Sequence, residues 1–144
     1  MRDCGECIAC CVYLKIPALD KPKLTHCQHL NLVEEVKENT MQLSAQACGS
    51  CGIYEDRPQV CKTYACAWLL GGGRESDRPD RSKMLIDTLH QIENAVECKP
   101  LYDGAQDTKK GKGAIRRIAR DGKCTSIVLD FLETKILRVE GSPP

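Results

Sequence analysis

The placement of cysteine constrains this chain more than any other feature. Of 11 cysteines in 144 residues, those at positions 4, 7, 10, 11, 27, 48, 51, 61 and 66 crowd the first half, and Cys98 and Cys124 stand alone beyond it. A disulfide scaffold accounts for such density in short exported chains. Here it is disfavoured. The opening MRDCGEC has no apolar core of a signal peptide, so none is expected if the chain is complete. The count is odd, and Cys10 and Cys11 are adjacent, where a bond would strain the peptide between them. Clustered thiols in a reducing, cytoplasmic setting are instead expected to hold metal.

The spacing supports that expectation. Cys4 and Cys7 form one C-x2-C unit and Cys7 and Cys10 another, with Gly5 free to take an unusual φ in the turn. Cys10 and Cys11 project in different directions, and so would serve different metals or different iron atoms of one cluster. Cys27 sits between His26 and Gln28-His29 and is a ligand candidate. For His29, direct ligation and an outer hydrogen-bonding role both stay open; His26 reads as a surface residue. Cys48 and Cys51 form a further C-x2-C that could pair with Cys4 and Cys7 as a zinc ribbon, though over a long separation. Cys61 and Cys66 are five apart, about 140° around an α-helix. They cannot face one ion from an undistorted helix, so the helix ends between them or each serves a different part of the site.

The remaining segments fill in an α+β outline. Residues 12–25 read as a short strand and a proline-punctuated loop, and residues 30–47 as a helix whose Glu34, Glu35 and Glu38 form a solvated face. Pro58 suits the first turn of a helix from about 58 to 70. Trp68, Leu69 and Leu70 would close an apolar lid over the thiols. Gly71-Gly72-Gly73 ends that helix; without a preceding strand or a Gly-Lys-Ser/Thr it is no phosphate loop. Residues 83–89 and 94–101 read as one hairpin, 113–121 as a short amphipathic helix, and 125–131 with 135–140 as a closing hairpin. Cys98 and Cys124 read as packing residues. Net charge is +1 and no apolar run approaches the roughly 20 residues that span a bilayer, so no membrane partner is expected. The basic segment 109–123 lacks an aromatic stacking platform and gives no clear nucleic-acid site.

The order CGECIACC, CQHL, CGIYEDRPQVCKTYACAWL and RPDRSKMLID resembles the CxxCxxCC family of zinc- or iron-chelating proteins over about the first 87 residues. The doubled cysteine and the IYEDRP linker make the likeness specific. Carried over by position, it implies metal ligation by Cys4, Cys7, Cys10, Cys11, Cys27, Cys51, Cys61 and Cys66, enough for two four-coordinate sites or one site plus a cluster. Cys48 falls in an insertion and is extra to the pattern. Flagellin lysine N-methylases carry a similar cysteine signature but are much larger.

The expected fold is therefore α+β in a single domain spanning 1–144. A cysteine-rich, metal-centred half with short helices (1–70) precedes a small antiparallel sheet with one helix (83–140). The expected function is binding of zinc or iron, or of an iron–sulfur cluster, by a cytoplasmic protein with no assigned protein partner. Two alternatives remain. One is an iron–sulfur enzyme of redox or N-methylase type, for which His29, Tyr54, Asp56 and Arg57 are the available polar groups, better read as buttresses of the cysteine loops. The other is an RNA- or protein-interaction module with structural zinc.

Overall fold

The computed structural model describes residues 2–32, 49–89, 91–131 and 134–138. Two sheets carry the architecture: a two-stranded ribbon, β1 (Leu30–Leu32) with β2 (Gly49–Cys51), and a four-stranded sheet of β3 (Met84–Leu89), β4 (Ala95–Pro100), β5 (Ser126–Asp130) and β6 (Thr134–Arg138) in that spatial order. Among the described residues the helices are short apart from the last: α1 (Ala9–Tyr13), α2 (Gln59–Thr63), α3 (Pro79–Ser82) and α4 (Lys109–Asp121).

Both expected hairpins form, β3 against β4 and β5 against β6. The sheet is nevertheless mixed rather than antiparallel, because β4 and β5 run parallel, with Ala95 opposite Ser126 and Cys98 opposite Leu129. The reason is the connection. The chain from Pro100 to Ser126 holds α4, which carries it back along the sheet so that β5 starts at the same end as β4. The helix itself is longer than its 113–121 expectation. Thr108 caps it, accepting a hydrogen bond from the Gly111 N–H at 2.9 Å. Its buried residues Gly111, Ala114, Ile115, Ile118 and Ala119 recur at helical spacing and face the core.

Other expectations shift in the N-terminal half. Val12 and Tyr13 belong to α1, not to a strand. Ile8, Ala9, Val12, Tyr13 and Ile16 are all buried at three- and four-residue intervals, so one face of this short helix is apolar and sinks into the core. Leu30–Leu32 is a strand, not a helix start; the rest of the expected 30–47 helix, with Glu34, Glu35, Glu38 and Cys48, lies outside the described residues, as does His90 in the first hairpin turn.

A single core joins the two halves. Ala9 and Tyr13 of α1 and Cys66 and Trp68 pack with Met84, Leu85 and Ile86, with Val96 and Cys98, and with the apolar face of α4. Cys98 and Cys124 are buried here, as packing residues. Polar ties reinforce the joint. The Tyr13 hydroxyl donates to the Asp130 carbonyl, and Lys23 bonds the Asp130 carboxylate at 2.9 Å and the Phe131 carbonyl at 2.7 Å. No described helix is long and apolar enough to cross a membrane.

Candidate metal centre

The cysteine segments reach one place by separate local devices. In the first loop the Cys7 N–H donates to the Cys4 carbonyl at 3.0 Å, closing the C-x2-C turn. Gly5 turns with φ +57°, and a Cβ there would stand 3.3 Å from the Arg78 guanidinium. Arg2 anchors this loop to the segment after Cys66. Its backbone N–H bonds the Leu69 carbonyl, its guanidinium bonds the carbonyls of Trp68, Gly72 and Gly73, and it lies 4.9 Å from the Trp68 ring. Cys10 and Cys11 follow on α1, whose apolar face is in the core.

The ribbon delivers Cys27 and Cys51. The Leu30 N–H donates to the Cys27 carbonyl, and Leu30 lies directly opposite Cys51 in the β1–β2 register. The ribbon is tied to the first loop by the Gly49 N–H on the Glu6 carbonyl at 2.8 Å.

Cys61 and Cys66 are separated by the end of a helix. Pro58 stands just before α2 rather than inside it, and α2 stops at Thr63 because Tyr64 becomes extended. The Tyr64 hydroxyl donates to Asp87 on β3 at 2.6 Å, and the Ala67 N–H bonds the Ile86 carbonyl. The chain leaves the helix to lie along the sheet, and Cys66 is buried there.

The outcome is one cavity of about 690 Å³ lined by Cys4, Cys7, Cys10, Cys11, Cys27, Cys51, Cys61 and Cys66 together. All eight cysteines nominated from the sequence meet in it. The ten described cysteines are free thiols. Among the described residues no group of three or more His, Cys, Asp or Glu side chains forms a ready-made ion site; the sulfurs line the walls rather than close on a point. His29 is not a lining residue; its carbonyl accepts the Gly52 N–H at 2.7 Å. Of the expected lid, Trp68 is 3% exposed within the core, Leu69 lines the cavity and Leu70 is 61% exposed, pointing away because the chain turns after Cys66 instead of continuing as helix. Arg57 stacks 3.8 Å from the Tyr54 ring and bonds the Tyr54 carbonyl at 2.8 Å. Tyr54 is mostly exposed, so it packs on Arg57 rather than into the protein, and Asp56 is exposed outside the cavity.

The electrostatics suit sulfur ligands. Burial pushes the Cys7 thiol up to about 12, against backbone N–H donors from Ala9 and Asp80 that favour its thiolate. Cys66 is likewise raised by burial and opposed by the N–H groups of Leu69 and Trp68. Cys11 goes the other way, to about 7, because the Cys10 thiol hydrogen-bonds to it and Lys21 and Arg57 add positive charge. Buried thiols aimed at by N–H donors and cations resist ionisation alone but have the surroundings a bound thiolate requires.

Lys21 carried no signal in the sequence. It is 4% exposed, with its ammonium bonded to the carbonyls of Val12, Leu14 and Pro22 at the end of α1, and it is charge-coupled to Cys10, Cys11, Cys27 and Cys61. The RPDR stretch also gains a role. Arg78 and Asp80 form a two-point ion pair at 2.5 and 2.7 Å beside Gly5, which fixes the Asp80 N–H on Cys7. No family model, curated protein or solved structure matches this chain.

Proposed function

We propose that the protein binds zinc or iron, the latter as ions or as an iron–sulfur cluster, through the thiolates that line the cavity. The observation that carries this reading is the convergence of eight cysteines from four separate segments on one space, with cations and backbone N–H groups directed at them. Packing alone does not call for this. Cys98, which fills the core, is not among the residues that line this cavity. The likeness to zinc- or iron-chelating proteins, carried by the same eight positions, points the same way.

The donor set fits either metal. Four thiolates satisfy tetrahedral zinc at about 2.3 Å per bond and equally ligate iron–sulfur clusters. Bound zinc would hold the loops in place, and bound iron–sulfur would supply electron transfer. The chain's own contribution is to exclude water with Ile8, Leu14, Ile16, Leu69 and Leu85, and to offset thiolate charge with Lys21 and Arg57.

The test is metal analysis with an absorption spectrum on protein purified without oxygen. Iron, acid-labile sulfide and a broad band near ~400 nm identify an iron–sulfur protein. A colourless protein with stoichiometric zinc identifies a structural or zinc-handling one. Free thiols and neither metal would sink the proposal.

A further inference from the structure

We infer that the solvent face of α4 is a docking surface for the phosphate backbone of a nucleic-acid double helix. It is separate from the cysteine cavity, which no residue of α4 lines.

The sequence shows only a basic segment; the fold sorts it into faces. Gly111, Ala114, Ile115, Ile118 and Ala119 are buried, and Lys109, Lys112, Arg116 and Arg120 are exposed on the other side of the helix. At about 100° and 1.5 Å per residue, these four cations fall within an arc of about 80°, in a row about 16 Å long with steps of roughly 4.5–6 Å. Lys110 and Lys123 are exposed near its two ends. Arg117 is not part of the row, because Asp77 holds it at 2.7 and 2.6 Å.

The fold does not neutralise this row. Among the described residues Lys109, Lys110, Lys112, Arg116 and Lys123 have no carboxylate partner, and Arg120 has only Asp121 at 3.9 Å. Asp121 is the only carboxylate within residues 109–123, and it also accepts the Gly73 N–H at 2.8 Å. Glu75 on the neighbouring 3-10 turn pairs with Arg81 at 3.0 Å, while Asp103 and Asp107 are exposed in the turn before the helix. Nor does the row help the helix. Lys109, Lys110 and Lys112 crowd its positive end, where the first turn has no acidic residue. Lys112 with Arg116, and Arg116 with Arg120, are like charges four residues apart, which repel. Cations that work against their own helix and stay open to solvent suit an anionic partner.

The make-up of the face selects which one. Among the described residues α4 has no exposed large apolar side chain, and Leu70 borders only its far end, beside Asp121 and Gly122. Protein interfaces are anchored by aromatic and apolar side chains and are poor in lysine. A helix lying on a membrane inserts its apolar face, but that face of α4 is in the core. Single strands stack on aromatic rings, and α4 has none. A double helix needs none of these. Each of its strands carries a phosphate about every 3.4 Å, and lysine and arginine hold that backbone without reading bases.

Fluorescence anisotropy of the full-length protein, purified without oxygen, with short labelled duplexes tests this. Binding should weaken roughly 100-fold between about 50 and 200 mM salt, as expected for about four phosphate contacts. RNA and DNA duplexes should bind within about tenfold of each other, since charge alone is read. Arg116→Gln with Arg120→Gln, and separately Lys109→Gln with Lys112→Gln, should each weaken binding and flatten the salt slope by about 2; Arg116→Lys with Arg120→Lys should do neither. Lys15→Gln with Lys62→Gln, which removes the same charge on the cavity side, should leave duplex binding unchanged. Circular dichroism checks the fold of each, and the two independent pairs keep the test decisive if one does not fold. The inference is overturned if no duplex binds at about 50 mM salt, if neither α4 pair weakens binding, or if the cavity-side pair weakens it equally. It is also overturned if a single strand, a poly-glutamate peptide or phosphatidylserine vesicles bind the row more tightly than the duplex. Metal content is read separately, so this inference and the metal-binding reading fail independently.

Discussion

Asp77→Ala should destabilise the protein by about 2–4 kcal/mol and loosen the cysteine cavity from outside it. Asp77 is 1% exposed and sits at the end of the 3-10 turn Glu75–Asp77. Its carboxylate accepts the Arg117 Nε and Nη2 at 2.7 and 2.6 Å and the Arg74 N–H at 3.0 Å. Those bonds join α4 to the turn that leads into α3, and α3 supplies the Asp80 N–H that reaches Cys7. Hydrogen bonds to a charged group contribute roughly 1.5–3 kcal/mol each. A full sum over three overshoots, because the Arg117 side chain is 23% exposed and recovers water when its partner is lost. Breaking one side of a buried pair costs about 3–5 kcal/mol, and the partial exposure brings the figure to the lower range stated.

The assay is urea unfolding followed by Trp68, the single tryptophan, whose indole N–H bonds the Arg74 carbonyl at 2.9 Å and so reports on this turn. Asp77→Asn supplies the pH arm. Burial raises the Asp77 carboxyl, but the Arg117 bonds, the Arg74 N–H and the charges of both arginines outweigh it and leave it below its ordinary 3.8. A depressed carboxyl gives stability that is fully present above the unfolded value near 4 and is lost as pH falls through the lower native value. The gap between wild type and Asp77→Asn should therefore be constant from pH 5 to 7 and shrink toward pH 3. A gap under about 1 kcal/mol for the alanine variant, or one that does not change between pH 7 and 3, would refute the reasoning.

Two further perturbations test the frame around the cavity. Gly5→Ala should lower stability by about 1–2 kcal/mol, since a side chain at φ +57° costs that much and its Cβ presses on Arg78; metal per chain should fall with it, and an unchanged metal content would mean that the first loop is not a ligand turn. Lys99→Met should cost about 2–4 kcal/mol, because Lys99 is buried between Asp87 and Glu97 and its removal leaves the Asp87 carboxylate with only the Tyr64 hydroxyl among its bonds described above; a loss below 1 kcal/mol in thermal or urea unfolding would show that this network is not holding Tyr64 and the end of α2.

The sequence made the cysteines that share the cavity legible because their spacing is local. A C-x2-C turn closes by its own backbone bond, as Cys7 does on Cys4, whereas the doubled Cys10-Cys11, expected to point two ways, has its two thiols hydrogen-bonded to each other. The same locality found both hairpins, β3 with β4 and β5 with β6. What it missed depends on contacts far apart in the chain. The parallel pairing of β4 with β5 is set by where α4 packs, not by the period-2 pattern of either strand. The end of α2 between Cys61 and Cys66, left open by their spacing as one of two options, is set by Tyr64 reaching Asp87, 23 residues on. Nothing around Lys21, between Asp20 and Pro22, marks it in the sequence, and only the fold of α1 back over it turns its ammonium toward buried carbonyls and thiols.

The protonation of the thiols yields a last prediction, one that separates metal-loaded from metal-stripped protein by the sign of a slope. Without metal, burial holds Cys4, Cys7 and Cys61 above their ordinary 9.0, Cys7 at about 12, while a hydrogen bond to Cys11 and burial raise Cys10; Cys66 is also raised by burial. Above pH 9 the unfolded chain then loses protons first, so the stripped fold weakens as pH rises. Cys11, at about 7, opposes this between pH 7 and 9, but it is one proton, worth at most about 1.4 kcal/mol per pH unit. Bound thiolates carry no protons, whereas the unfolded thiols keep theirs below pH 9. Loaded protein should therefore gain up to about 5 kcal/mol per pH unit for each four-thiolate centre on the way from pH 6 to 8, if the unfolded chain holds no metal. Urea midpoints measured across pH 6–10, with metal and after chelation, should show a steep rise for the loaded form and a shallow rise followed by a fall for the stripped one. Parallel curves for the two forms would mean that the metal, if present, does not displace protons from these cysteines.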